Sequence, residues 1–228
     1  MPDSFTNLRV LPKDIESRAL LATMRGFALE VRCTYCHVAA RDDAPLDSID
    51  FAKDDKRTKK VARVMLDMVH HINHEHLADV PERPRPLLEV RCATCHRGVA
   101  RPRLLEDDLT LALADSGLDH TVRRYRELRQ RYYGSGSYDF GEDVVTDVAL
   151  AEARGGRPVN AIGLLNLNAE FHPASARIAL ALGDVYLLRG DTATAIAQFR
   201  TALSRDSTLG FARQRLRRLS ASEAGPPE

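Results

Sequence analysis

The sequence predicts an all-α chain of two modules, and three observations carry that prediction. Apolar residues recur at helical spacing in two segments of the front half, each shortly before a cysteine cluster. All four cysteines fall between residues 33 and 95. Beyond residue 103 there is neither cysteine nor methionine, and a helical pattern repeats with a fixed period. A length of 228 residues with 44% hydrophobic content is enough to build two cores. The boundary is expected near residue 102, giving modules 1–102 and 103–228.

From the N-terminus, "MPDSFTNLRV" has neither the basic nor the apolar region of a secretory signal, and no apolar run approaches the roughly 20 residues that span a bilayer. The first helix is expected in "IESRALLATMRGF", where Ile15, Ala19, Leu20, Thr23, Met24 and Phe27 share a face. Then comes "VRCTYCHVAA", two cysteines two residues apart with histidine straight after. A second helix follows in "KKVARVMLDMVHHINHEHL", with Val61, Val64, Met65, Met68 and Ile72 as its apolar stripe. "VPERPRPLLEV" is proline-rich and reads as a loop, and it leads into "VRCATCHRGVA", where the cysteine motif returns.

Two CxxC pairs admit disulfides, zinc or covalent haem. A structural disulfide framework would be sparse in so long a chain, and zinc has no need of a histidine immediately after each second cysteine. Haem uses every fixed position: two thiols add to the vinyl groups on one porphyrin edge, and the next residue turns its imidazole under the ring to bind iron. Cys33 and Cys36 would hold one haem with His37 as axial ligand, and Cys92 and Cys95 a second with His96. The expected cofactors are two haem c groups, and the expected fold is a dihaem c-type cytochrome domain followed by an α-solenoid of tetratricopeptide-like helix pairs.

Each iron has a distal position to fill. Methionine on an apolar helix face most often fills a core, but beside a haem its thioether is a common partner of histidine. Spacing puts Met24 at the first haem and leaves Met65 and Met68 open for the second. Four histidines, His70, His71, His74 and His76, crowd the end of the second helix; a polar C-terminus favoured by the helix dipole accounts for them, and displacement of a methionine by one of them is the alternative.

"NLRVLPKDI", "LLATMRGFALEVRCTYCHV", "FAKDDKRTKKVARVMLDMVHHIN" and "VRCATCHRG" resemble half of the multihaem cytochrome subunit of photosynthetic reaction centres. In that family each haem lies along a helix that supplies the distal methionine before the CxxCH turn. The resemblance implies Met24 for the first haem and Met65, the first methionine of "MLDM", for the second, with Met68 as runner-up. It also implies haem attachment outside the bacterial cytoplasm, so the expectation is a periplasmic or membrane-facing protein whose export signal or anchor lies outside the given chain. The full subunit carries four haems and this chain has motifs for two, so docking to a photosynthetic complex is not inherited.

In the rear half, "ASARIALALGDVYLLRGDTATAIAQFRTALSRDS" places Leu182, Gly183, Tyr186, Ala195, Phe199 and Ala202 at the offsets of a tetratricopeptide repeat. Ala149, Ala161 and Leu165 stand 34 positions before Gly183, Ala195 and Phe199, and Pro173 ends that earlier unit. A looser unit, "LEDDLTLALADSGLDHTVRRYRELRQRYY", precedes it. "YYGSGSYDFGED" reads as a connecting loop with Asp139 or Glu142 near the next helix start. "STLGFARQRLRRLS" is expected to cap the stack, burying Leu209, Phe211, Leu216 and Leu219.

A formal charge of +1 excludes a chain built for nucleic acid or a membrane surface by bulk charge. Lys53, Lys56, Arg57, Lys59, Lys60 and Arg63 read as the solvated start of a helix, or as a docking patch for an acidic redox partner. The expected function is one-electron relay rather than catalysis. Its rivals are a dihaem peroxidase or reductase and a structural subunit of a larger multihaem assembly. Expected partners are redox proteins, and a protein segment or second copy at the repeats.

Overall fold

The structure is a computed structural model that describes residues 5–28, 32–82 and 85–223. The chain divides into two compact units, Met1–Pro102 and Arg103–Glu228. Among the described residues the regular structure is helical, and one antiparallel bridge pairs Val38 with Asp50.

In the first unit, α1 spans Ser17–Ala28, α2 spans Arg57–His71 and α3 is the single turn Cys92–His96. Helix α2 does not stop at His71: it widens into a π-helical turn over Ile72–His76, closed by Leu77 N–H donating to the Ile72 carbonyl at 2.8 Å. Helix α1 lies against α3, so the helix that leads into the first CxxCH touches the turn that forms the second. Residues 29–31, which join Met24's helix to the first motif, lie outside the described residues. In the described part of the proline-rich stretch there is no helix, as its composition predicts.

The unit has little conventional core. Ile49 and Val99 are the only apolar residues buried among those described, while Tyr35, Phe51, Val61, Val64 and Met68 lie exposed. The predicted stripe on α2 is therefore present in sequence but not covered by protein: Val61, Val64 and Met68 are 44%, 62% and 41% exposed.

The second unit is built from helix pairs. Helix α4, Leu105–Tyr132, is broken at Gly117, whose φ of 76° and ψ of −177° only glycine adopts readily. Arg124 donates to Asp108 at 3.0 Å across that break. A straight helix would hold residues sixteen apart about 24 Å from each other, so the two halves fold back into a hairpin. The looser unit of the sequence is thus a true helix pair. Helices α5 (Glu142–Arg154) and α6 (Pro158–Phe171) make the next, α7 (Ala176–Leu188) and α8 (Thr192–Arg205) the third, and α9 (Gly210–Glu223) closes the stack.

Local chemistry sets these boundaries. Asp139 accepts from the Gly141 N–H just ahead of α5, Pro158 opens α6, and Ser175 and Asp191 cap α7 and α8 by accepting from the Ile178 and Thr194 N–H groups. Exposed ion pairs join alternate helices: Arg177 meets Asp143, and Arg215 donates to Asp184 at 2.8 Å. Each adds little to stability by itself. Most of the stability comes from a continuous apolar interior running from Leu105 to Val185, with a second cluster around Ala179, Ala195, Phe199, Ala202 and Ala212.

One expectation for the cap is overturned. Phe211 is 71% exposed, and Ala212 is buried in its place. The inward row of α9 runs through Leu209, Ala212, Leu216 and Leu219, at intervals of three and four, and Phe211 falls beside it. Arg215, still 42% exposed, pairs with Asp184.

Gly183 is where the repeat depends on a missing side chain. A Cβ there would meet the buried Phe199 ring at 2.4 Å. Alanine gains about 1 kcal/mol in helix propensity but overpacks the pair by about 1–3 kcal/mol. Gly183→Ala is expected to lower the stability of the second unit by up to about 2 kcal/mol in urea denaturation, with Gly190→Ala, a positive-φ turn position without a close neighbour, as a control for backbone effects alone.

Candidate cofactor site

Each CxxCH sits on one helical turn, which is what its spacing demands. Residues i, i+3 and i+4 of a turn share a face, so the two sulfurs and the imidazole of each motif leave the backbone on one side. The first turn is tight, with the Cys33 carbonyl accepting from Cys36 N–H at 3.2 Å and His37 N–H at 2.9 Å. The second is α3, closed by the Thr94 hydroxyl accepting from Arg91 N–H at 2.9 Å and by Arg97 N–H donating to the Ala93 carbonyl at 3.0 Å.

The two motif histidines differ in what holds them. His96 Nδ1 donates to the Val99 carbonyl at 2.9 Å. A carbonyl can only accept, so the proton is on Nδ1 and the Nε2 lone pair is left for a metal, the arrangement usual for a ligating imidazole. His37 Nδ1 is buried without a hydrogen-bond partner, and its ring meets Phe51 edge-on at 4.9 Å between centroids. Burial, then the charge of Lys59, holds the His37 imidazole below its ordinary pKa, with Arg63 and Lys56 adding to that and the nearby Phe51 carbonyl opposing it. His37 is therefore neutral at neutral pH, as a metal ligand must be. Burial pushes the Cys36 thiol up, against a hydrogen bond from Thr58 and the charge of Lys56.

Several functional contacts were missed by sequence reasoning. Lys59 is buried and donates to the carbonyls of Phe51, Ala52 and Lys53 at 2.9, 2.9 and 2.7 Å. Lys56 donates to the Thr34 carbonyl inside the first motif, and Thr58 to that of Tyr35. Arg63 donates to Asp54 at 2.8 Å and to the Asn7 carbonyl at 3.1 Å, while Lys59 and Arg9 approach the same carboxylate at 3.0 and 3.2 Å. Three of the six cations in the basic run thus bind the loop around the first motif; Lys53, Arg57 and Lys60 remain on the surface. At the second motif, Asn73 in the π-turn donates to the Val90 carbonyl and accepts from the Val90 N–H, both at 2.8 Å, and so fixes the approach to Cys92.

Arg63 and Lys59 hold the Asp54 carboxyl well below the usual carboxylate range. A depressed folded pKa stabilises the unit above the unfolded value near 3.9, and that contribution is lost as pH falls through the folded one. Acid is expected to loosen the Asn7–Asp54–Arg63 clamp below about pH 4, and Asp54→Asn to remove that part of the pH dependence, read by amide exchange around residues 50–54.

The methionines are arranged as follows. Met24 is half-buried on α1. Met65 is half-buried in the row Met65, Val69, Asn73, which runs along α2 toward the segment pinned at Val90; Met68 belongs to the neighbouring, more exposed row of Val64 and Ile72. His70 and His74 stack at 4.2 Å, and His71 donates to the Asp67 carbonyl, which with Glu75 raises its pKa. Among the described residues no three Cys, His, Asp or Glu side chains converge as a metal-holding group.

The residues present fit a haem at each motif. The donor set is a pair of thiols and an imidazole on one face, and uncovered apolar side chains, Phe51 beside His37 and Val61, Val64 and Met68 along α2, offer the surface a porphyrin needs. Residues 2–108 match the photosynthetic reaction centre cytochrome C subunit family. The segment carrying both motifs is thus similar to a c-type cytochrome of electron transfer. Among solved structures, the first TPR of Spaghetti (RPAP3) bound to HSP90 peptide SRMEEVD is 16% identical with a TM-score of 0.37, covering 53% of this chain and 91% of that one. No curated protein is similar enough to match the chain.

Proposed function

We propose that the chain is an extracytoplasmic dihaem c-type cytochrome that relays single electrons, and that its helical-repeat unit docks a protein partner or a second copy. The observation that carries the reading is the repeated site: two sulfurs and an imidazole on one face of a helical turn, twice in one compact unit, each preceded by a methionine-bearing helix. Bound haem c would supply a reversible one-electron change at iron.

The chain does the rest. Cys33 and Cys36 would hold one group, with His37 and Met24 as its iron ligands, and Cys92 and Cys95 the other, with His96 and Met65. Two protein ligands at each iron would leave no position for a substrate, which is the difference between a carrier and a peroxidase. Helix α1 lying against α3 keeps the two motifs within one body, as a relay requires. The repeat helices present a surface of the kind such modules use for protein segments. No helix among the described residues is long and apolar enough to cross a membrane, and the extracytoplasmic assignment rests on the family's haem chemistry.

Optical spectroscopy of the matured chain tests the proposal. Two low-spin haems with stable methionine-to-iron charge-transfer bands, reversibly reduced and indifferent to cyanide, are the expected result. A high-spin haem that binds cyanide or peroxide quickly would make the protein a peroxidase or reductase instead.

A further inference from the structure

The two motifs are alike in sequence and unlike in what surrounds the imidazole. His96 gives its Nδ1 proton to the Val99 carbonyl at 2.9 Å, which makes the ring a stronger electron donor toward a bound metal. A more basic ligand favours the more highly charged ferric ion. No acceptor stands in hydrogen-bonding geometry to the buried His37 Nδ1, and the Phe51 carbonyl near that ring already accepts from Lys59.

Charge acts in the same direction. Around the first motif, Arg9, Lys59 and Arg63 share the one carboxylate of Asp54, and Lys56 is held on the Thr34 carbonyl inside the motif. Lys59 is buried, and its ammonium donates to the carbonyl of Phe51, whose ring meets His37. Of these cations Lys59 alone is buried, Arg9 being 66% exposed, and the charge of Lys59, which water screens little, disfavours the ferric ion there. At the second motif, Arg91 faces Glu89 at 3.4 Å with both side chains largely in solvent, and Arg97 follows His96 at the surface turn.

We infer that the His37 site has the higher reduction potential of the two, with buried Lys59 as the residue that sets it, so that an electron held by the chain rests at the His37 site. The inference rests on the dihaem reading above. In the internal exchange one electron leaves ferrous iron at the His96 site, which becomes ferric, and reduces ferric iron at the His37 site; no bond forms or breaks and no proton moves. The direction of the relay follows: the donor delivers at the second motif and the acceptor withdraws at the first.

A redox titration followed by visible spectra tests it, on matured chain already shown by pyridine haemochrome to carry two haems. A count other than two sinks the dihaem reading and leaves the titration without its subject. With two present, assignment uses two single-site chains, Cys33→Ala/Cys36→Ala and Cys92→Ala/Cys95→Ala. The chain retaining the His37 site should titrate higher, by at least a tenfold preference for the electron, about 59 mV for a one-electron couple. Lys59→Gln in the two-haem chain should lower only that potential, and Lys59→Arg should preserve it. Equal potentials, a higher His96 site, or a Lys59→Gln chain with both haems and unchanged potentials would overturn the inference. If Lys59→Gln does not mature, the two single-site titrations decide it alone.

Discussion

Made in a host that cannot attach haem, the chain should come out half-folded: residues 103–228 protected against protease and amide exchange, residues 1–102 open to both. The two units differ in what their own side chains bury. The second contains fully buried Leu109, Tyr125, Leu164, Leu165, Ile178, Val185 and Phe199, packed pair against pair. The first buries only Ile49 and Val99 among its described apolar residues and leaves Tyr35, Phe51, Val61, Val64 and Met68 in contact with solvent. At about 25 cal/mol per Å² of apolar surface, a unit of this length with so small a core cannot offset the entropy of ordering its chain. The polar clamps at Asp54 and Asn73 position loops, but exposed and half-exposed hydrogen bonds each contribute only about 1 kcal/mol. A porphyrin laid against α2 and the Phe51 loop would supply the missing apolar contact, and folding would then be linked to attachment as in other small proteins that fold around a bound group. Equal protection of both units without haem would show that the first unit holds itself together.

Met24→Ala and Met65→Ala should each abolish one of the two methionine-to-iron charge-transfer bands and lower the potential of one haem by an amount on the order of tenths of a volt, while Met68→Ala leaves both bands in place. The expectation for Met65 follows from its row. Met65, Val69 and Asn73 follow one another at intervals of four, and the row ends where Asn73 grips Val90, two residues before Cys92. Met68 stands in the next row, with Val64 and Ile72, on the side where the helix is most open. A thioether that binds iron must reach across the ring facing the CxxCH turn, and Met65 is on the row nearer that turn. His70 and His74 are stacked on each other and His71 is engaged by Asp67 and Glu75, so none is arranged as the replacement ligand. Loss of a band in Met68→Ala would transfer the assignment, and a low-spin spectrum unchanged in Met65→Ala would bring the histidines back.

Local spacing was legible in the sequence; pairing across distance was not. Cysteine at i and i+3 with histidine at i+4 defines a face of one turn wherever it occurs, so both candidate turns could be located before any fold was known. The Gly183–Phe199 contact was legible too, because a repeat fixes the offset between its helices. Lys59, by contrast, is an ordinary lysine in a basic run until the chain returns the carbonyls of Phe51, Ala52 and Lys53 to its ammonium. Asn73 sits among histidines with nothing in its neighbourhood to mark a bond to Val90 seventeen residues on. The acceptor for His96 is a backbone carbonyl, which no side-chain pattern can announce. Phe211 shows the limit on amphipathic patterns: Ala212 lies on the inward row of α9 and Phe211 beside it, and packing of the smaller residue with Ala179, Ala195, Phe199 and Ala202 chose between them.

The central claim is that this polypeptide carries two covalently attached haems, each fixed by its own CxxCH turn. Its most direct measurement is a pyridine haemochrome count on denatured chain from an exporting, haem-attaching host, after extraction with acid acetone. Two haems per chain that stay with the protein through extraction is the predicted result. A colourless chain, or pigment that passes wholly into the acetone, would contradict it.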